Sequence, residues 1–295
     1  MTAVSSRSAP ATGALVMGEF AFSDANFREI AHIAKSEAGI DLPQSKATLV
    51  YSRLAKRLRA LGITTFSDYC ETVRKDDDER NSMIAALTTN VTRFFREPHH
   101  FEHLRDKIIA PLAESAQRGD RVRLWSAACS TGQEPYSMAL TVLSLLPNAA
   151  SLDIRILATD LNPHVIAHGK SGCYDKEELR DVPANLRAKW FKPVAGDRAG
   201  STMCIEDDVR ALVSFRQLNL MGTWPFKGPF EAIFCRNVVI YFDRETQSTI
   251  WNRLANHVRS KGALYIGHSE RISGPANAVL TADGITTYRK LGERS

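Results

Sequence analysis

The sequence predicts a doubly wound α/β domain that carries a small antiparallel β insertion and follows a small all-helical domain. Three observations predict it. From about residue 120 onward, short apolar strands alternate with helices, the pattern of a parallel sheet. Between about 20 and 90, apolar residues recur at helical spacing and no strand pattern interrupts them. Between about 170 and 217 the alternation fails. At 295 residues and 44% hydrophobic content, the chain can bury both cores.

In the helical part, Phe22-Ser23-Asp24 reads as a helix start, with Phe27, Ile30, Ala31, Ile33 and Ala34 following near the 3.6 period. Leu54, Leu58 and Leu61 form an i, i+4, i+7 stripe stopped by Gly62. Thr65-Phe66-Ser67-Asp68 opens another helix, running through Tyr69 to Val73. Asp76, Asp77 and Asp78 put acids in the first turn of the next, where they favour the helix dipole. Met83, Ile84 and Leu87 supply its buried face. Residues 1–18, rich in Ala, Ser, Thr and Gly, read as a disordered tail without the apolar stretch of a secretory signal. The expected divisions are therefore the tail 1–18, a helical domain 19–88, a linker 89–98 and an α/β domain 99–295.

In the α/β part, VRLW (122–125) is strand-like, followed by the turn Ser130-Thr131-Gly132 and a helix over Gln133–Leu145. Ile154–Asp160 is a buried strand ending in an acid, and Pro163 opens a helix. FEAIFC (230–235) is a third strand, Asp243 caps a helix reaching Val258, and GALYIG (262–267) is a fourth strand. Within 170–217, residues 202–205 and 209–215 read as short antiparallel strands joined across Glu206-Asp207-Asp208.

Composition removes several classes. Five cysteines stand singly without a CxxC pair, which argues against a disulfide framework or zinc site and for a reducing compartment, the cytoplasm. No metal is expected. The longest apolar runs, such as 140–146, are far below membrane-span length. Mean hydropathy is −0.22, ordinary for a soluble protein. The balance of 38 basic against 33 acidic residues permits an anionic partner without demanding nucleic acid.

Three clusters could carry chemistry. SAACSTGQEPYS (126–137) is a small-residue turn after the first strand, where a ligand can approach the backbone closely. It lacks the three-glycine dinucleotide fingerprint, which disfavours a nicotinamide dehydrogenase. Asp160, ending the second strand, suits ribose hydroxyls; together these point to a nucleoside without a pyrophosphate, although such a turn is also built for structure alone and such an Asp also caps helices. TTNVTRFFRE (88–97) either lies over a ligand or plugs the core with Phe94 and Phe95. CRNVVIYF (235–242) ends the third strand in Arg-Asn, with Tyr241 four residues past Asn237; burying those groups is costly unless they are used, and an ion pair with a core tyrosine is the plainer reading. Asn219 is a further polar strand-end residue, the kind that also serves turns.

The segments TTNVTRFFRE, CSTGQEPYS, ATDLN, FRQLNL and FCRNVVIYFD resemble, in order, the motifs of the chemotaxis receptor methyltransferases, the CheR family. The resemblance runs from about residue 20 to 290. It implies a Rossmann-like class I S-adenosylmethionine-dependent methyltransferase domain with a β-subdomain insertion behind an all-helical, receptor-facing domain. It further implies esterification of glutamate side chains on chemoreceptors, leaving S-adenosylhomocysteine, in adaptation of bacterial chemotaxis.

Carried onto this sequence, the resemblance puts Asn90, Thr92 and Arg96 around the cofactor's methionine end, with Glu134 beside it. Asp160 would hold the ribose and Asn219 and Leu220 the adenine side. Arg236 and Asn237 would complete the pocket, with Tyr241 near the transferred methyl; Arg96 and Tyr241 are the expected catalytic residues. Gln133 stands where many members have a second Glu. His268 and Ser269, after the last parallel strand, are further candidates for the pocket wall. Arg53, Lys56, Arg57 and Arg59 surround the leucine stripe and would face the acidic methylation region of the receptor; the plainer reading is a solvated face. Some members also capture a receptor C-terminal peptide on the β-subdomain by strand addition, and others lack that tether. A monomer without membrane insertion is expected. Two other functions compete: a nucleic-acid methyltransferase, disfavoured because Cys235-Arg236-Asn237-Val238 stands where such enzymes carry an Asn/Asp-Pro-Pro-aromatic motif, and a cofactor-binding regulatory or scaffold protein without activity.

Overall fold

The computed structural model describes residues 14–292 apart from 195, 196, 198, 199 and 227. The chain divides into two compact units, 1–88 and 89–295.

In the first unit the ribbon β1 (Ala14–Val16) and β2 (Phe22–Ser23) is followed by α1 (Asp24–Ala38), α2 (Ala47–Leu61), α3 (Phe66–Lys75) and α4 (Asp77–Leu87). The starts follow from local chemistry. Ser23 closes a capping box with Asn26, Thr65 accepts the Asp68 N–H, and Asp76 accepts the N–H groups of Asp78 and Glu79. Glycines in the left-handed conformation, Gly39 and Gly62, end α1 and α2. Leu54 and Leu58 are fully buried among Phe22, Phe66, Tyr69 and Met83, whereas Leu61 is exposed at the end of its helix. The expected tail is corrected: Ala14–Val16 pairs antiparallel with Phe22–Ser23, while residues 1–13 lie outside the described residues.

The basic face of α2 is largely engaged inside this unit. Arg57 forms an ion pair with the buried Glu79, which also accepts the Tyr69 hydroxyl at 2.7 Å. Arg53 donates to the carbonyls of Leu87 and Thr88, at 2.5 and 2.9 Å, closing the end of α4. Arg59 pairs with Glu19 in solvent, and Lys56 is exposed.

In the second unit α5 (Pro98–His103) runs through a π-helical turn into α6 (Ala110–Gln117), then β3 (Val122–Ala127), α7 (Gln133–Leu145), β4 (Ile154–Asp160) and α8 (Pro163–Ser171). The insertion follows: β5 (Cys173–Asp175), α9 (Ala184–Trp190), β6 (Phe191–Pro193) and β7 (Thr202–Ile205), an antiparallel sheet in the order β5-β7-β6. The chain returns through α10 (Asp207–Ala211) and β8 (Val213–Gln217) to β9 (Phe230–Cys235), α11 (Arg244–His257), β10 (Val258–Ile266), β11 (Leu280–Gly284) and β12 (Thr287–Lys290).

The main sheet has the order β11-β12-β10-β9-β3-β4-β8; β10 to β8 are parallel and the last two strands antiparallel. Apolar cores cover both of its faces, one around Leu124, Leu140 and Phe234 and the other around Trp125, Trp251 and Ile233. Three sequence expectations are corrected. Residues 209–215 are not a strand of the insertion: Glu206-Asp207-Asp208 start a short helix, and the segment beyond it pairs with β4 as the edge of the main sheet. The hairpin β11–β12 carries no expected strand. Cys173 and Cys204, directly opposite on β5 and β7, form a disulfide; antiparallel pairing brings together two cysteines that stand 31 residues apart in the chain. The cysteine argument for a reducing compartment therefore does not stand.

Replacing Arg57 with alanine leaves the Glu79 carboxylate buried with only the Tyr69 hydroxyl as partner. Urea unfolding should show the first unit losing about 2 kcal/mol, with Lys56→Ala close to unchanged.

Candidate active site

The chain leaves β3 toward β4 and β8, then returns to β9 on the other side of β3. Open α/β sheets bind ligands beyond the carboxyl ends of the strands at such a reversal. After β3 the backbone turns through left-handed Ala128 (φ 62°), Ser130 (φ 50°) and Gly132 (φ 98°) before α7 begins. A Cβ on Gly132 would stand 2.7 Å from the Tyr174 hydroxyl, so both conformation and space require glycine. Asp160 braces this turn from the end of β4, accepting the N–H groups of Ser130 and Asn162, each at 2.9 Å. Burial pushes its carboxyl up, and those N–H groups oppose the shift.

The segment 89–97 lies on the same turn. The Ser130 hydroxyl donates to the Asn90 carbonyl at 2.8 Å, and the Phe95 N–H donates to the Ser137 hydroxyl at 2.9 Å. Phe94 plugs the core, fully buried and edge-on against Tyr174 and Phe191, whereas Phe95 is half-buried. Thr92 and Arg96 are half-buried, and the Arg96 guanidinium reaches the Val91 carbonyl at 3.3 Å.

At the centre is Arg236, its side chain 2% exposed. One nitrogen lies 3.0 Å from Glu134 Oε2; the other lies 3.2 Å from Glu97 Oε2 and donates to the Arg96 carbonyl. The second oxygen of Glu134 accepts the Ser126 hydroxyl at 2.7 Å. Burial pushes the Glu134 carboxyl up, while Arg236 and Ser126 pull it back. His100, fully buried with Nε2 2.9 Å from the Thr286 hydroxyl, is pushed down to about 2 by burial and by Arg236, and so stays neutral. Glu97, His99 and His100 offer ligand atoms within 4.8 Å of one another, but Arg236 already supplies positive charge at Glu97.

Two carboxylates therefore share one buried guanidinium. That excess of negative charge, beside a turn open to close backbone approach, fits a ligand with cationic groups, such as the sulfonium and ammonium of S-adenosylmethionine.

The remaining expected residues have these surroundings. Asn219 Oδ1 accepts the Met221 N–H at 2.9 Å in a turn after β8, and the buried Leu220 accepts Arg253 at its carbonyl. Asn237 is left-handed (φ 59°), and Tyr241 ends a short turn with its side chain 37% exposed. His268 and Ser269 are exposed, with His268 Nδ1 3.4 Å from Glu97. Gln133 is buried and spends its amide on Glu178 at 2.9 Å. An open cleft of about 390 Å³ has Ile240, Arg244, Gln247, Ser269, Glu270 and Arg271 in its lining. Glu97, Ser126 and Glu270 have structural roles here that the sequence reading missed. An acid followed by Pro98 at a helix start was the available signal for Glu97; none marked the other two.

A switch-point site of this kind on a seven-stranded mixed sheet defines a class I S-adenosylmethionine-dependent methyltransferase. Residues 90–288 match the family model described as CheR methyltransferase, SAM binding domain, and residues 25–88 match its all-alpha domain. A probable chemotaxis protein methyltransferase of Rhizobium etli is 53% identical over 86% of this chain and 95% of its own length. Chemotaxis protein methyltransferase 2 of Pseudomonas aeruginosa is 39% identical over 92% and 94%, and the chemotaxis protein methyltransferase of Escherichia coli is 39% identical over 86% of each. Among solved structures, PKMT2 from Rickettsia typhi in complex with AdoHcy aligns over 61% of this chain and 26% of that chain, at 16% identity and a TM-score of 0.34. The chain belongs to the CheR methyltransferase family.

Arg236→Ala leaves Glu97 and Glu134 without their shared cation. It should destabilise the second unit by about 3–5 kcal/mol in urea unfolding, and adding Glu134→Gln should recover part of that loss through the coupling of neighbouring charges.

Proposed function

We propose that the chain transfers the methyl group of S-adenosylmethionine to glutamate side chains of chemoreceptors, forming methyl esters, and that it works in the cytoplasm as a monomer. Within a chain of this family, the observation that carries the reading is the pair of carboxylates held by one buried guanidinium at the sheet's switch point. Among the described residues no helix is long and apolar enough to cross a membrane.

The bound cofactor supplies a methyl already activated by its sulfonium. A glutamate carboxylate is ionised at pH 7 and needs no strong base. What the protein contributes is alignment of the reacting groups. Asn90, Thr92 and Glu134 serve the methionine end, Asp160 the ribose and Asn219 with Leu220 the adenine side. Asp160 keeps lone-pair capacity beyond its bonds to backbone N–H groups. Arg236 holds Glu134 and the Arg96 carbonyl in place, and its buried Nε keeps a free donor for the pocket. Arg96, Asn237 and Tyr241 face the reacting groups. Exposed Arg244 and Arg271 give the adjoining cleft the charge to admit an acidic acceptor segment.

For the receptor-facing helix, Lys56 and Arg59 are the better contacts, because Arg53 and Arg57 are half-buried and hold other parts of their own unit, whereas Lys56 is exposed and the Arg59–Glu19 pair lies in solvent. The strands β5 and β6 form the edges of the insertion sheet, which is what strand addition of a receptor C-terminal peptide would use.

The deciding experiment incubates the purified protein with methyl-labelled S-adenosylmethionine and receptor-bearing membranes. Label on receptor bands that alkali releases as methanol supports the reading, and absence of cofactor binding in calorimetry sinks it. Tyr241→Phe should lower turnover at least about tenfold with cofactor affinity little changed, and Arg96→Ala should lower turnover and weaken cofactor binding together; full turnover in both would refute these roles. Lys56→Glu with Arg59→Glu should raise the KM for receptor severalfold and leave the Kd for S-adenosylhomocysteine unchanged.

A further inference from the structure

The loops after β9 and β10 are held together by one side chain. Glu270 is buried, 5% exposed, and its carboxylate accepts four backbone N–H groups. Oε2 takes Gly267 at 2.6 Å and Asn237 at 3.0 Å; Oε1 takes Val238 at 3.0 Å and Val239 at 2.8 Å. Three of the four belong to the segment between Arg236 and Tyr241, and the fourth to the end of the neighbouring strand. This segment has no strand partner to satisfy its N–H groups, because β9 ends at Cys235 and Asn237 adopts the left-handed conformation that breaks the ladder. The two loops touch: a Cβ on Gly267 would stand 2.4 Å from Asn237 Nδ2 and 2.8 Å from its backbone nitrogen. Glycine at 267 thus permits the approach, and Glu270 fastens it.

We propose that Glu270 is a positioning residue for methyl transfer. As an ionised clamp it fixes the Asn237–Tyr241 segment in the conformation that presents Asn237 and Tyr241 to the reacting groups. This rests on the placement of those two residues in the active site. Four N–H donors converging on two oxygens demand acceptors only, which a carboxylate offers and an amide does not. A reaction without a general base depends on alignment alone, so a loosened loop appears in turnover before it appears in cofactor binding.

The test is Glu270→Gln, with Glu270→Asp as a second variant that keeps the charge but shortens the reach. Amide hydrogen exchange, kcat, the Kd for S-adenosylhomocysteine and Tm are measured for both, beside Tyr241→Phe. In the Gln variant one oxygen can still serve Val238 and Val239, while the NH2 group opposes the donors of Gly267 and Asn237. The expected result is faster exchange at Gly267 and Asn237 and a kcat lowered about tenfold to a hundredfold, with the Kd within about threefold of the parent. The Asp variant, keeping acceptors only, should recover part of the kcat. Faster exchange at those amides with parental kcat overturns the proposal. So does a kcat loss matched by an equal loss of cofactor affinity, with no difference between Gln and Asp. Parental kcat in Tyr241→Phe would instead count against the placement of Tyr241, whatever Glu270 does. If the Gln variant fails to fold, the Asp variant decides, since a clamp of reduced reach must lower kcat more than it alters Kd.

Discussion

The site depends on one buried cation. Arg236 closes β9 in a position where the sheet offers its backbone no further partner, and its guanidinium reaches across the switch point to Glu134, Glu97 and the Arg96 carbonyl. Without it, two carboxylates would face each other out of solvent, an arrangement that costs several kcal/mol. With it, the segment 89–97, the first helix after β3 and the end of β9 become one unit. Of the seven non-glycine residues with positive φ among those described, five lie in these loops: Phe95, Glu97, Ala128, Ser130 and Asn237. Such strain persists where the surroundings over-determine it, and the ionic bridge and the hydrogen bonds around it do so here.

Two features that look alike in sequence play different parts. Asp160 and Glu270 are both acids at the carboxyl edge of the sheet, and both accept backbone N–H groups. Asp160 takes those of the turn after β3 and of the residues that follow it; Glu270 takes four from two separate loops and has little capacity left. Arg236 has the residue type of a ligand-binding arginine; its terminal nitrogens go to Glu134, Glu97 and the Arg96 carbonyl, and only its buried Nε is without a partner.

Much of the fold was legible in the sequence, for local reasons. Ser23, Thr65, Asp76 and Asp243 mark helix starts because their side chains cap within three residues, and Gly62 marks a stop because only glycine turns left-handed there cheaply. The four central parallel strands announce themselves as apolar runs because both faces are covered. What failed was decided over longer range. Val209 and Leu212 stand three apart, a helical spacing within a run too short to decide by period, and only pairing with β4 assigns Val213–Gln217 to the main sheet. The Cys173–Cys204 disulfide needs the register of the insertion, and the clamp by Glu270 needs two loops brought together by neighbouring strands. The basic stripe on α2 misleads for the same reason, since a sequence shows the arginines but not that Glu79 and the end of α4 already hold two of them.

A methyl transfer of this kind explains why the chain invests in loop geometry rather than in a catalytic base. The acceptor is ionised and the donor activated, so the barrier that protein groups can lower is the misalignment of oxygen, carbon and sulfur. Lowering it requires fixed backbone, and fixed backbone at strand ends requires substitutes for lost ladder partners. The chain supplies them with buried charged side chains: a guanidinium beneath the segment 89–97 and a carboxylate beneath the segment 237–239. Their opposite charges follow from what they must hold, carbonyl and carboxylate oxygens in one case and N–H groups in the other.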